Sequence, residues 1–265
     1  YGTGSASGFF GEDTVRFGPR GSDQLVVPRT IIGQAVKIAP FFRENKCDGI
    51  LGLAFRELAE GGVNPPLLNA FDQGLIYPIM TVYLEHDKQF KYGGVVTYGG
   101  VDKTHCGEMI AYERTTRDAK MWQFMNEWQL RLLQLKGVAS EHVTFSKEWI
   151  AISDTSTSFL GLPSVVADSV ADSAGAEYDE QSEMYMIECQ AKPSLNLTIG
   201  DHVYTIEAVN LIAEIDVNFC IMTMFPISGH GLGSQMILGD PFIRQYCNIY
   251  DYNTKQIGFA RSLQR

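Results

Sequence analysis

The sequence predicts a mainly β protein with few short helices, and three observations carry that expectation. Its 26 glycines and 10 prolines are scattered along 265 residues, so turn formers punctuate many short segments. The segments between them are apolar runs of strand length, several with the alternation of a half-buried strand. Only two or three stretches read as helices.

Residues 1–18 read as the second arm of a hairpin running into a strand. Val26–Ala39 alternates through Val26, Val27, Ile31, Ile32, Val36 and Ile38. Asp48–Ala54 is an apolar run broken by Gly49 and Gly52. Asn64–Gly74 is the clearest helix: Leu67, Leu68 and Phe71 make an apolar face, Pro65 and Pro66 suit the first turn, and Gly74 suits the end. Ile79–Leu84, Gly94–Tyr98, Thr104–Tyr112 and Trp122–Leu133 read as strands, and Pro163–Ala174 as a second helix. Strands then recur at Tyr185–Glu188, Leu195–Ile199, His202–Ile206, Ala208–Leu211, Asn218–Met222, Met236–Leu238, Cys247–Asp251 and Gln256–Ala260. The Gly99-Gly100-Val101-Asp102 turn is taken as the boundary between residues 1–100 and 101–265.

Hydrophobic residues make up 45% and charged residues 20%, enough apolar material for real cores and no sign of disorder. The formal net charge of −10 repels phosphates and argues against nucleic acid as a partner. It suits work at low pH, where carboxylates neutralise, and equally suits plain solubility. No run of about 18 apolar residues is present, so no membrane-spanning helix is expected. The chain starts at Tyr1 without an initiator Met, which reads as a processed product or a partial record. The lack of a signal peptide therefore says nothing of compartment.

The five cysteines, at 47, 106, 189, 220 and 247, form no CxxC pair, which argues against a zinc site. Cys189 and Cys220 flank two strand-like runs. A bridge there would stabilise the fold by roughly 3 kcal/mol, and two buried free thiols are the alternative. Asn196-Leu197-Thr198 is a glycosylation sequon inside a predicted strand. Both features lean towards an oxidising, secretory setting. His105, His142 and His230 lie too far apart in sequence to suggest a triad or metal set, and the methionines read as core fillers. Gly229–Gly233 reads as a turn, since it lacks the Lys-Ser/Thr of a phosphate loop.

The stretch that carries chemistry is Trp149-Ile150-Ala151-Ile152-Ser153-Asp154-Thr155-Ser156-Thr157-Ser158-Phe159-Leu160. An acid directly after an apolar strand is costly unless it is hydrogen-bonded, and the hydroxyls and amides of Thr155 to Ser158 could supply the bonds. A turn or helix cap is the plainer reading of an Asp followed by Ser or Thr.

Further segments decide between these. The Asp154 stretch resembles the second catalytic motif of pepsin-like aspartic proteases, an apolar pair before Asp-Thr-Gly-Thr-Ser. Tyr1-Gly2-Thr3-Gly4-Ser5, with Gly8-Phe9-Phe10-Gly11 and Asp13-Thr14-Val15, resembles that family's flap and the following strand. Asp48–Ala54 resembles its first apolar-apolar-glycine element. Met236-Ile237-Leu238-Gly239-Asp240, with Phe242–Tyr246, resembles the second, and Ile257-Gly258-Phe259-Ala260 its closing strand. The matches fall in the family's order over essentially the whole chain.

The resemblance implies a bilobal, mainly β fold with a cleft between the lobes and an N-terminal lobe that is incomplete here. It implies two aspartates, one per lobe, sharing a proton and polarising a water that attacks the peptide carbonyl. No cofactor and no metal are implied. Carried over, Asp154 is one of the pair. Tyr1 is the flap tyrosine, Gly2 and Thr3 offer backbone contacts to an extended peptide, Thr157 steadies the acid, and Ser158 is grouped with the substrate-binding residues. Phe159, Leu160 and Ile237 line or support the cleft. Cys189 and Cys220 match a family disulfide, and a second bridge between Cys106 and Cys247 is the further pairing it allows. Peptide or protein substrates, a monomer, and a secreted or lysosomal home are the corresponding expectations.

Two features depart from the family pattern. No second Asp-Thr-Gly or Asp-Ser-Gly occurs in the sequence, and Asp13-Thr14-Val15 is no substitute because Val15 would crowd the turn. Ser156 also stands where the family usually has glycine. The expected activity is aspartic endopeptidase, with this chain alone inactive for want of the first Asp segment. The alternative is a non-catalytic peptide-binding relative on the same fold.

Overall fold

A computed structural model of the chain describes residues 4–44, 47–86, 93–116, 119–129, 131–132, 146–227 and 235–264. It is mainly β, as expected, and divides into two compact units, Tyr1–Pro78 and Ile79–Arg265.

The first unit is built on one long antiparallel hairpin, Ala6–Phe17 with Leu25–Ile38. Gly8 sits at a register shift where a Cβ would run into the Gln34 backbone, so glycine is needed for the close approach. The predicted helix spans Pro66–Asp72, starting after Pro65 and followed by Gly74 at φ 68°. It buries Leu67 and Ala70. Asn69 ties it to the hairpin by donating to Thr30 Oγ1 at 2.9 Å and to the Arg29 carbonyl at 3.1 Å. A short helix, Pro40–Glu44, was not foreseen. Asp48–Ala54 forms no strand, and its Ile50 and Leu51 are exposed.

In the second unit, Gly94–Tyr98, Ile79–Leu84, Tyr246–Asp251, Gln256–Ser262 and Cys106–Arg114 form, in that order, an antiparallel sheet. The pairing of Ile79–Leu84 with Tyr246–Asp251 places residues 79–98 in this unit. A second five-stranded sheet has the order Met224–Ile227, Leu160–Pro163, Gln235–Leu238, Ser146–Ser153, Gln123–Gln129. Here Gln235–Leu238 runs parallel to Ser146–Ser153 and opposes Leu160–Pro163. Two smaller sheets complete the unit. Phe124, Tyr204, Phe242 and Phe259 form a buried aromatic cluster with edge-on and tilted contacts. The second predicted helix is Ser164–Ala174, closed by Gly175 in the left-handed conformation.

One predicted strand is a helix. Ala208–Leu211 makes a single turn in which the Glu207 carbonyl accepts the amides of Asn210 and Leu211, and the strand starts only at Ile212. Four apolar-rich residues are too few for periodicity to separate the two forms. The helix Asp240–Gln245, with Pro241 in its first turn, also went unpredicted.

Cys189 pairs with Cys220, and Cys106 with Cys247, whereas Cys47 is free and exposed. Cys106 and Cys247 lie in a core cluster with Tyr83, Ile249 and Ala260. The sequon reading does not fit a glycan: Asn196 is only 6% exposed, and its Oδ1 accepts the Thr205 hydroxyl at 2.7 Å. No helix among the described residues is long and apolar enough to cross a membrane.

Candidate active site

Asp154 follows directly on the strand Ser146–Ser153, whose Ala151 and Ile152 are buried. The strand is held on both sides, by Gln123–Gln129 and by Gln235–Leu238. The Asp154 amide continues the second pairing by donating to the Leu238 carbonyl at 3.1 Å. The chain then turns sharply. Thr157 returns its amide to the Asp154 carbonyl, and Leu160 enters the next strand through a bond to the Thr223 carbonyl at 2.9 Å. The small residues allow this turn, and Gly239 packs against it: a Cβ there would be driven into the carbonyl oxygens of Thr157 and Phe159.

The half-buried Asp154 carboxylate is held by its own turn. Oδ1 accepts the Ser156 amide at 2.9 Å and the Ser156 hydroxyl at 2.6 Å. Oδ2 accepts the Thr157 hydroxyl at 2.6 Å. Two bonds on one oxygen and one on the other fix the plane of the group while leaving it in reach of solvent. Ser156 adopts this position without left-handed strain. The non-glycine residues with positive φ among those described are Arg29, Glu183, Asn218 and Lys255. The departure from glycine therefore adds a hydrogen-bond donor.

A second acid, Asp240, stands at the start of the helix Asp240–Gln245, with its amide donated to the Thr157 carbonyl at 3.0 Å. Burial pushes its pKa up, the Arg244 guanidinium at 3.2 Å pulls it back, and the charge of Asp154 adds to the rise. It serves the turn as a brace rather than as a free acid.

Of the residues singled out in the sequence, Asp154 and Thr157 are brought into direct contact. Ser158 is exposed, with no hydrogen bond to the carboxylate among the described residues. Phe159 and Ile237 are half-buried, while Leu160 is fully buried in the core. Tyr1, Gly2 and Thr3 lie outside the described residues, as do His142, His230 and the Gly229–Gly233 turn. Sequence reasoning took Ser156 both as a departure from a pattern and as one of four possible donors to Asp154, without separating it from Thr155, Thr157 and Ser158. Its hydroxyl, two residues past the acid, was the available signal for a donor. No group of three or more His, Cys, Asp or Glu placed to hold a metal ion occurs among the described residues.

Comparison with known proteins bears on this geometry. The family model described as eukaryotic aspartyl protease matches residues 1–262. Aspartic protease 2 of Necator americanus is 48% identical over 263 residues, covering 98% of this chain and 59% of that protein. Aspartic protease 6 of Caenorhabditis elegans is 46% identical, covering 100% of this chain and 67% of that protein. A more distant relative, 31% identical over 98% of this chain and 60% of its own length, is the vacuolar aspartic protease of Candida albicans. The chain thus spans about three fifths to two thirds of the length of these curated relatives. A solved structure described as Haemonchus galactose containing glycoprotein complex superposes with a TM-score of 0.78 at 46% identity, covering 98% of this chain and 79% of that one.

Proposed function

The chain belongs to the eukaryotic aspartyl protease family, and on that premise we propose that it works as part of an aspartic-type endopeptidase in which Asp154 is one of two reacting carboxylates. The observation that supports this best is the cradle at Asp154, where Ser156 and Thr157 hold both oxygens while the group stays half-buried. A carboxylate meant only to cap a turn has no need of hydroxyl donors on both oxygens.

The second carboxylate comes from a segment outside this chain. Apart from the Asp154-Thr155-Ser156 turn the sequence holds no stretch of this kind, neither Asp-Thr-Gly nor Asp-Ser-Gly, and the curated relatives are longer. Two carboxylates close together cannot both ionise cheaply, so the pair holds one proton; as it takes a proton from the attacking water, it gives the one it held to the peptide carbonyl oxygen. The substrate is a peptide in extended conformation, for which Tyr1, Gly2 and Thr3 are the proposed contact residues. The two disulfides fit a protein of the secretory route, with a secreted or lysosomal destination, acting as a monomer.

The test is cleavage of a denatured protein by the complete gene product at about pH 4, with pepstatin as inhibitor and Asp154→Asn as the negative variant. Pepstatin-sensitive cleavage lost in the variant supports the reading. A folded protein inert from about pH 3 to about pH 6 overturns it and leaves the alternative, a peptide-binding relative without catalysis.

A further inference from the structure

Next to the reacting acid, three buried polar side chains from strands far apart in sequence form one hydrogen-bonded chain. Ser153 is 7% exposed, Asn248 0% and Tyr250 1%. Successive strand residues point to opposite faces, so Ser153 faces the core while Asp154 faces away from it. The neighbours Ala151, Ile152, Leu238 and Ile249 are all buried apolar residues. Polar groups in such a place need partners.

The direction of every bond in the chain is fixed. Asn248 Nδ2 lies 2.8 Å from the Tyr246 carbonyl, which can only accept, so the amide nitrogen faces it and Oδ1 faces the other way. Oδ1 accepts the Ser153 hydroxyl at 2.8 Å. That commits the one hydroxyl proton of Ser153. The Tyr250 hydroxyl, also 2.8 Å from Ser153 Oγ, must therefore donate to it. Burial pushes the Tyr250 pKa up, the bond to Ser153 offsets part of this and the charge of Asp154 adds to it, so the donor stays a neutral phenol.

The same serine is tied by its backbone. Its amide donates to the Trp122 carbonyl at 3.0 Å, and the Trp122 ring packs on the Tyr250 ring at 5.0 Å between centroids. Trp122, Ser153 and Tyr250 thus close a triangle of two hydrogen bonds and one ring contact.

We propose that Ser153, Asn248 and Tyr250 are positioning residues for Asp154, a buried hydrogen-bonded anchor that fixes the strand end from which the carboxylate is presented. The proposal rests on Asp154 being a reacting group. Filling a core is done as well or better by apolar side chains of the same shape, so three polar side chains that, among the described residues, bond to one another and to one carbonyl point to placement of the backbone.

The test uses Tyr250→Phe and Ser153→Ala in the complete protein, with amide hydrogen exchange and steady-state peptide cleavage as readouts. Exchange at Asp154 to Thr157 is expected to quicken by about 10-fold, with Gln256–Ser262 unchanged. The value of kcat is expected to fall about 10-fold, with KM within about 2-fold. A purely structural role would instead quicken exchange throughout the second unit and leave kcat per folded molecule unchanged, and that result overturns the proposal. The exchange readout does not require catalysis. An inert wild type with the localised exchange effect sinks the peptidase reading alone. An active wild type matched by Tyr250→Phe in both readouts sinks the anchor alone.

Discussion

The Ser156 hydroxyl donates to Asp154 Oδ1 at 2.6 Å, beside its own amide on the same oxygen. Glycine at 156 would keep the amide and lose the hydroxyl. Ser156→Gly is therefore expected to change kcat by less than about 10-fold, because Ser156 is exposed and water can replace the lost donor. Thr157→Val removes the donor recorded on the opposite oxygen at a half-buried position, and is expected to lower kcat by about 10- to 100-fold with KM nearly unchanged. Steady-state kinetics on the two variants of the complete protein check the order. A larger loss from Ser156→Gly would contradict it.

Gly239 is predicted to be the least replaceable glycine near the site. Gly239→Ala places a methyl group against two backbone carbonyls that already carry the turn. A loss of about 3 kcal/mol or more is expected, read as a lowered denaturation midpoint or failure to fold. Gly100→Ala, which meets nothing within 4 Å, is the control and should stay within about 1 kcal/mol.

Asp102 gives a pH dependence of stability with a defined sign. Burial pushes its carboxyl up, but the His105 ring bond at 2.7 Å, the amides of Thr104 and His105, and the His105 charge outweigh burial and hold the pKa below the ordinary carboxylate value. A lowered folded pKa means stability that is present above the unfolded value, about 3.9, and lost as pH falls through the folded one. Melting temperatures recorded down to about pH 2 should drop more steeply in wild type than in Asp102→Asn. Parallel curves would rule out this contribution.

The buried Asn196 should carry no glycan in protein made through a eukaryotic secretory pathway. A chain glycosylated there could not pack Asn196 against Thr205. Treatment with an N-glycosidase is expected to leave the mass of the Asn196 peptide unchanged.

Much of this was legible in the sequence where a local signal was strong. Pro65, Pro66 and Gly74 announced the helix Pro66–Asp72, and four hydroxyl residues after Asp154 announced its donors. Ala208–Leu211 was misread because a single turn buries Asn210 and Leu211 without any repeat that could reveal it. The division of Asp154's two oxygens between Ser156 and Thr157 depends on turn geometry, which residue types alone do not specify. Ser153 meets Asn248 and Tyr250 across separations of 95 and 97 residues, and no short motif can encode such a meeting.

The order of strands in the larger antiparallel sheet has a consequence for synthesis. Tyr246–Asp251 and Gln256–Ser262 sit in its interior, between Ile79–Leu84 and Cys106–Arg114, which are made much earlier. Gln256–Ser262 is the partner that Cys106–Arg114 has in this sheet, and Cys247 is the sulfur to which Cys106 is joined. While the ribosome is still translating the Asp154 region, two early strands wait with open edges and one waits with an open thiol. Closure of this sheet thus waits for Tyr246–Ser262, and a nascent chain stalled before Tyr246 should remain sensitive to protease and dependent on chaperones.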